Sequence, residues 1–231
     1  MHFHVITLFP EMFDSYLNES ILARARKEKK IKVTFINPRK FVTGKYRKVW
    51  PDGNISLQVD DRPYGGGPGM VIRAEPIVLA IESVLRKLKV QSKKSKVKII
   101  NFSPSGKDFD TAYAKEVVKK YTDVIFISGR YEGIDARVKK IFKCDDISIG
   151  NYVLTGGELP AMVLIDSISR QVKGVLGKFE SLEEERISSS EIYTRPEVFV
   201  YKNKKYKVPK VLLSGNHKDI DNWKKSSKKG Q

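Results

Sequence analysis

The sequence predicts an α/β fold on a parallel β-sheet, and three observations predict it. Short apolar, β-rich runs alternate with stretches whose apolar residues recur at helical spacing. Three successive runs, ending at Phe102, Ser128 and Ile149, each lead into a glycine-bearing turn. Strands that alternate with helices pair in parallel through right-handed crossovers, and such sheets bind ligands beyond the carboxyl ends of their strands. The three turns are therefore expected to surround one pocket. A chain of 231 residues suits one large domain or two unequal ones.

Phe3 to Leu8 reads as the first strand, and the N-terminus lacks the basic start and cleavage site of a signal peptide. His2 and His4 share one face of it. With no acidic or cysteine partner nearby in sequence, they are expected on the strand surface and not as metal ligands. Met12, Phe13, Tyr16, Leu17, Ile21 and Leu22 then follow helical spacing, before a basic run from Arg24 to Lys30. Ile31 to Ile36 alternates like a strand and stops at Asn37-Pro38. Phe41 to Val59 is polar and basic around a turn at Pro51-Asp52-Gly53-Asn54. Gly65 to Gly69 superficially suggests a phosphate cradle, but Met70 stands where a P-loop needs its lysine. With Asp60, Asp61 and Arg62 before it, this block reads as a structured loop near an active site.

A helix from Glu75 to Lys89 leads to the strand Val97 to Phe102 and the turn Ser103-Pro104-Ser105-Gly106. Phe109, Tyr113, Val117 and Val118 mark the next helix, and Asp123 to Ser128 the next strand, ending in Gly129. After a helix around Asp135 to Phe142, Ile147 to Ile149 is a short strand ending at Gly150. Gly156-Gly157 precedes a helix from Glu158 to Arg170, and a helix start offers backbone N–H groups to polar or anionic ligands. Residues 171–192 read as a linker with the acidic cluster Glu183-Glu184-Glu185. The last part runs from Tyr193 past Gly215-Asn216-His217 toward Trp223, and the tail from Lys224 to Gln231 is expected to be disordered.

Net charge is +17, and Arg86 to Lys98 with Tyr201 to Gln231 account for +15 of it. Such a chain is expected to meet a polyanion. One cysteine, Cys144, excludes an internal disulfide and suits a reducing, cytoplasmic compartment. No apolar run approaches the roughly 20 residues of a membrane span. No Gly-x-Gly-x-x-Gly follows the first strand, which argues against a dinucleotide cofactor. No spacing of metal ligands is present.

The blocks Asp60-Asp61-Arg62-Pro63-Tyr64-Gly65-Gly66-Gly67-Pro68-Gly69-Met70, Ser103 to Lys107, Gly129-Arg130-Tyr131-Glu132-Gly133-Ile134-Asp135, Ser148 to Pro160, Tyr193 to Glu197 and Gly215-Asn216-His217 stand in one order. In that order and spacing the chain resembles the bacterial tRNA (guanine-N1)-methyltransferase (TrmD) family of the SPOUT superfamily, from the first strand to about Trp223.

The resemblance implies a SPOUT-type parallel sheet with a deep trefoil knot over residues 1–170. It implies a flexible linker, 171–192, and a small, mostly helical, basic C-terminal domain, 193–231, short for the family. S-adenosylmethionine would sit bent among the three loops, contacted by Phe102, Ser103, Pro104, Gly129, Tyr131, Glu132, Gly133, Ile149, Gly150, Tyr152, Val153, Leu154, Gly156, Gly157 and Pro160. For Tyr152 a packed aromatic and a ligand contact are equally open. Arg62, Tyr64 and Gly65 would line the entrance. Arg170 would serve guanine O6. The family's proton-accepting aspartate falls on Glu185, or on Glu184 if the linker slips by one residue. The implied substrate is the guanosine at position 37 of tRNA, the implied assembly a homodimer, and magnesium a supporting ion; no DNA or membrane partner is implied. Methylation of another RNA site and an RNA-binding protein without catalysis are the competing readings.

Overall fold

The computed structural model describes residues 1–91, 95–176 and 191–227, and divides into two compact units, Met1–Val175 and Leu176–Gln231. No helix among the described residues is long and apolar enough to cross a membrane.

In the first unit, β1 (His2–Ile6) is followed by a 3-10 turn, α1 (Asp14–Leu17), α2 (Ser20–Lys27) and β2 (Lys32–Ile36). Two hairpins come next, β3 (Arg47–Val49) with β4 (Ile55–Leu57) and β5 (Asp60–Asp61) with β6 (Val71–Ile72). Then come α3 (Ala74–Gln91), β7 (Val97–Asp108), α4 (Thr111–Lys120), β8 (Asp123–Ile127), α5 (Arg137–Phe142), β9 (Asp145–Ser148) and α6 (Glu158–Gln171). The main sheet has the order β2-β1-β8-β7-β9 and every pair in it is parallel.

Period-two alternation sorts the strand residues onto two cores. Phe3, Val5, Val124 and Phe126 face one way, onto Leu17, Leu22, Val117, Leu164 and Ile168. Ile6, Ile125 and Ile127 face the other, onto Ile77, Ile81, Val84 and Val138. Helices therefore cover both faces, and β8, buried on both, is apolar from Val124 to Ile127.

Two local expectations need correction, and one stretch around an expected turn gains strands. The helical run after Pro10 breaks at Asn18-Glu19, where Asn18 accepts a hydrogen bond from Arg26 and Ser20 takes φ +53. Short polar side chains that bond locally compete with the helix. The polar stretch after Phe41 forms the β3–β4 hairpin, which leaves Val49, Trp50 and Ile55 exposed. His2 and His4 are not strand surface. His4 is 5% exposed and its Nε2 lies 3.0 Å from Asp123 Oδ1. Burial first, then the charges of His4 and Lys32, push His2 down to about 4.

In the second unit, β10 (Val198–Tyr201) and β11 (Lys204–Lys207) form an antiparallel hairpin, followed by α7 (Lys210–Leu213) and α8 (His217–Ser227). The two-residue loop Lys202-Asn203 has φ +47 and +61, the left-handed pair that matches strand twist. This hairpin adds strand to a part expected to be mostly helical. Trp223 packs near Tyr193, with ring centroids 6.2 Å apart. The helix continues past Trp223 to Ser227, so Lys224 to Ser227 are ordered where disorder was expected. Ser226 Oγ donates to the Trp223 carbonyl, and lysines favour a helix's negative C-terminal end. The last four residues of the expected tail lie outside the described residues.

Candidate functional site

An excursion within β7 and the carboxyl ends of β8 and β9 each supply a loop, and the three loops wall one cavity of about 420 Å³. The first loop is an excursion within β7. Phe102 and Lys107 both align with Ile147, so Ser103 to Gly106 bulge out between them. The second runs Gly129 to Gly133. Tyr131 there has φ +60, an unfavourable conformation for a non-glycine residue that clusters at functional sites. It is braced from outside: Glu132 N donates to Met70 O, Ile72 N to Gly133 O, and Asp135 N to Ile72 O. The glycine-rich block ending at Met70 is thus docked on the second loop.

The third loop, Ile149 to Gly157, needs its glycines for two different reasons. Gly150 has φ +152, and a Cβ there would lie 2.3 Å from Tyr152 Cε1. The Tyr152 ring folds back over it, its hydroxyl donating to Ile149 O at 3.1 Å. Gly157 is a close approach: a Cβ would meet Ser128 Cα at 2.7 Å. Its N–H donates to Gly129 O at 2.8 Å, which joins the second and third loops at the start of α6.

Beneath this junction is a polar knot of three side chains. Glu158 is 1% exposed; its Oε1 accepts from Thr7 Oγ1 at 2.8 Å, and its Oε2 lies 3.0 Å from Arg130 Nε. The second contact is a charge pairing without an aligned hydrogen bond. Arg130 also donates to Thr155 O at 3.3 Å and lies 4.8 Å over the Phe9 ring. Removing one partner of so buried a pair leaves a charge uncompensated. On the other wall, Lys139 Nζ bonds Asp146 at 2.6 Å, and Asp146 accepts from Asn101.

Every residue expected among the three loops, from Phe102 to Pro160, lines this cavity. Tyr152 both lines it and bonds its own loop. Arg130, Asn101, Lys139 and Thr155 also line it, and sequence reasoning missed them. Arg130 stands next to Gly129 in the Gly129–Asp135 block, and that adjacency is the available signal; Asn101, set by strand pairing, and Lys139, set by the contact of α5 with Asp146 of β9, carry none. Arg62, Tyr64 and Gly65 do not line it, and Tyr64 is fully exposed. Arg170 does not line it either. It lies ten residues along α6 from Pro160, about 15 Å at 1.5 Å per residue. Among the described residues, no hydrogen bond or ion pair holds its side chain. Glu183, Glu184 and Glu185 lie outside the described residues.

A parallel sheet whose strand-end loops enclose one pre-formed, partly apolar cavity defines an α/β protein built to hold a nucleotide-sized ligand. The particular family follows from comparison with known proteins. The model of the tRNA (Guanine-1)-methyltransferase TrmD family matches residues 1–231, and the chain belongs to that family. It is 43% identical over 229 residues to the tRNA (guanine-N(1)-)-methyltransferase of Clostridioides difficile (strain 630), covering 97% of this chain and 91% of the relative. Its relative from Carboxydothermus hydrogenoformans is 44% identical over 97% of this chain and 81% of that protein. That of Buchnera aphidicola is 42% identical over 96% and 87%.

Proposed function

We propose that this protein methylates N1 of a guanosine in tRNA, at position 37 beside the anticodon, with S-adenosylmethionine as donor. The observation that carries the reading is the single cavity walled by the three strand-end loops, in a chain of this family. Its residues suit that ligand. The volume lies in the range of about 300–1,000 Å³ typical of small-molecule sites. Phe102, Ile149, Leu154 and Pro160 offer apolar contact to a purine, Glu132 and Lys139 offer charges, and the glycines bring main chain close.

In this reading those loop residues hold the cofactor, in a sheet whose path through the loops is a trefoil knot. S-adenosylmethionine supplies a methyl group on a positively charged sulfur, the N1–C bond forming as the S–C bond breaks. Such an in-line displacement depends chiefly on alignment, worth up to about 7–11 kcal/mol. N1 of neutral guanine also carries a proton. Glu185 accepts it, with Glu184 as the alternative, and the Arg170 guanidinium stabilises the charge growing on O6. General-base help of this kind contributes about 10² to 10⁴ in rate. Magnesium supports the transfer.

Residues 1–170, with 171–175 folded onto them, form the catalytic domain; the linker follows to 192, and 193–231 form the tRNA-binding domain. The β10–β11 hairpin supports the last assignment, because exposed Tyr201 and Tyr206 each carry a lysine over the ring, Lys202 at 5.5 Å and Lys204 at 5.4 Å, with Lys205, Lys207 and exposed Phe199 beside them. Cations beside exposed rings suit phosphates and unstacked bases.

The enzyme works in the cytoplasm as a homodimer. Leu159 and Val163, one turn apart on α6, are half exposed, as are Met12 and Tyr16, and Tyr16 bonds Asp166 across to α6. Large exposed apolar side chains on neighbouring elements suit an interface. Pairing through it would let Arg170, a helix length from its own cavity, serve the partner's.

Methyl transfer from labelled S-adenosylmethionine to a tRNA transcript with guanosine 37, beside an adenosine-37 control, tests the proposal. Transfer to the first transcript alone, lost in Arg170→Ala and Glu185→Gln, is the expected result. No transfer to either transcript despite cofactor binding would overturn it in favour of an RNA-binding role.

A further inference from the structure

At the end of the sheet away from the cavity, three side chains with metal-ligating atoms converge. β1 presents His2 and His4 on the face that α3 covers, and Asp123, the first residue of β8, is paired with His2 in the parallel register. His4 Nε2 lies 3.0 Å and His2 Nδ1 3.6 Å from the same atom, Asp123 Oδ1. All three ligand atoms fall within 4.8 Å of one another. A tetrahedral zinc ion with bonds of about 2.0–2.1 Å holds its ligands about 3.4 Å apart, and the two N···O separations bracket that value.

One further polar atom of His2 and one of Asp123 are committed in the way an outer sphere requires. His2 Nε2 meets Thr34 Oγ1 at 2.8 Å, and Asp123 Oδ2 accepts from Thr122 Oγ1 at 2.7 Å. Such partners fix the tautomer and orientation of ligating groups. The His4–Asp123 hydrogen bond alone accounts for the shorter separation. It does not account for a second imidazole, ring centroid 3.8 Å from the first, turned to the same oxygen with its other nitrogen tied to Thr34.

We propose that His2, His4 and Asp123 form a zinc site, with Thr34 and Thr122 orienting the ligands. Two imidazoles and a carboxylate are a donor set that zinc takes, with water completing the tetrahedron. The ion would tie β1 to β8 directly and to β2 through Thr34, far from the methyl-transfer cavity. Lys32 acts electrostatically on both histidines and opposes the cation.

The test uses the full chain stripped of metal with a chelator and then titrated with Zn²⁺ or Co²⁺. One equivalent binds, Co²⁺ develops the visible bands of a four-coordinate ion, and nitrogen-15 spectra show His2 Nδ1 and His4 Nε2 shifting. Thr34→Val lowers affinity about tenfold to a hundredfold, and His2→Gln at the half-buried position lowers it at least as much. Lys32→Gln, at an exposed position, tightens binding. Circular dichroism verifies that each variant folds. Equal affinity in wild type and His2→Gln, or unshifted imidazole nitrogens at saturation, would overturn the site and leave a hydrogen-bonded cluster.

Discussion

A single added atom decides the site at Gly157. A methyl group at residue 157 would press on Ser128 Cα at 2.7 Å and Gly129 N at 2.9 Å, both backbone atoms of the neighbouring loop. Gly157→Ala must therefore push α6 off the second loop. Overpacking of this kind costs about 1–3 kcal/mol, and the cavity should lose its shape with it. Calorimetry with S-adenosylmethionine should show weakened binding; full affinity would mean that the loops move apart freely. Cys144 makes a pH-dependent prediction. Burial first, then the charge of Asp146, raises its thiol from 9.0 to about 11. A raised pKa keeps the thiol protonated, so at pH 8 it should hold about a hundredfold less thiolate than an ordinary thiol. Alkylation should be slow in the native protein and fast in denaturant, and equal rates would contradict the burial argument.

Elements in this chain are fixed by their ends as much as by their faces. α4 begins at Asp110, whose carboxylate accepts from Tyr113 N at 2.7 Å. Asp110→Ala should cost about 1 kcal/mol of stability, the usual worth of an N-cap, read from the denaturation midpoint at unchanged slope. No change would mean that packing of Tyr113, Ala114 and Val117 holds the helix start unaided. The five sheet strands and the helices between them were legible from periodicity, because an element buried on one or two faces has to show its period. The β3–β4 hairpin was not. Its strands are exposed and held by backbone pairing around Asp52-Gly53-Asn54, so no apolar alternation marks them. The break between α1 and α2 was hidden for the opposite reason, since apolar spacing continues across Asn18 while the backbone does not.

For the whole molecule, the apolar strip on α6 and the remote Arg170 make linked predictions. Val163→Asp should put an unpaired charge into the proposed subunit contact and yield monomers by sedimentation, with methyl transfer lost alongside; an active monomer would remove the proposed shared site. Mixing Gly157→Ala subunits with Arg170→Ala subunits should restore part of the activity, because a mixed dimer pairs one intact cavity with one intact arginine. No recovery in confirmed mixed dimers would return Arg170 to its own cavity. Deleting Lys224 to Gln231 should weaken tRNA binding and flatten its salt dependence, each lost phosphate contact lowering the slope by about 0.7 to 0.9. Unchanged binding would confine the RNA contacts to other basic surfaces such as the β10–β11 hairpin.

By itself the sequence determined the α/β class, the parallel sheet, the three glycine-bearing strand ends and their common pocket. These follow from local spacing and from backbone rules that act within a few residues. Only the tertiary structure decided what lies beneath and behind them. Thr7 and Glu158 stand 151 residues apart, and His4 and Asp123 stand 119 apart. No periodicity links such pairs. The register of β1 against β8 brings the second pair together, and the docking of α6 on Gly129 the first. In both, a buried polar group had to find its partner across the chain, because water was no longer there to serve it.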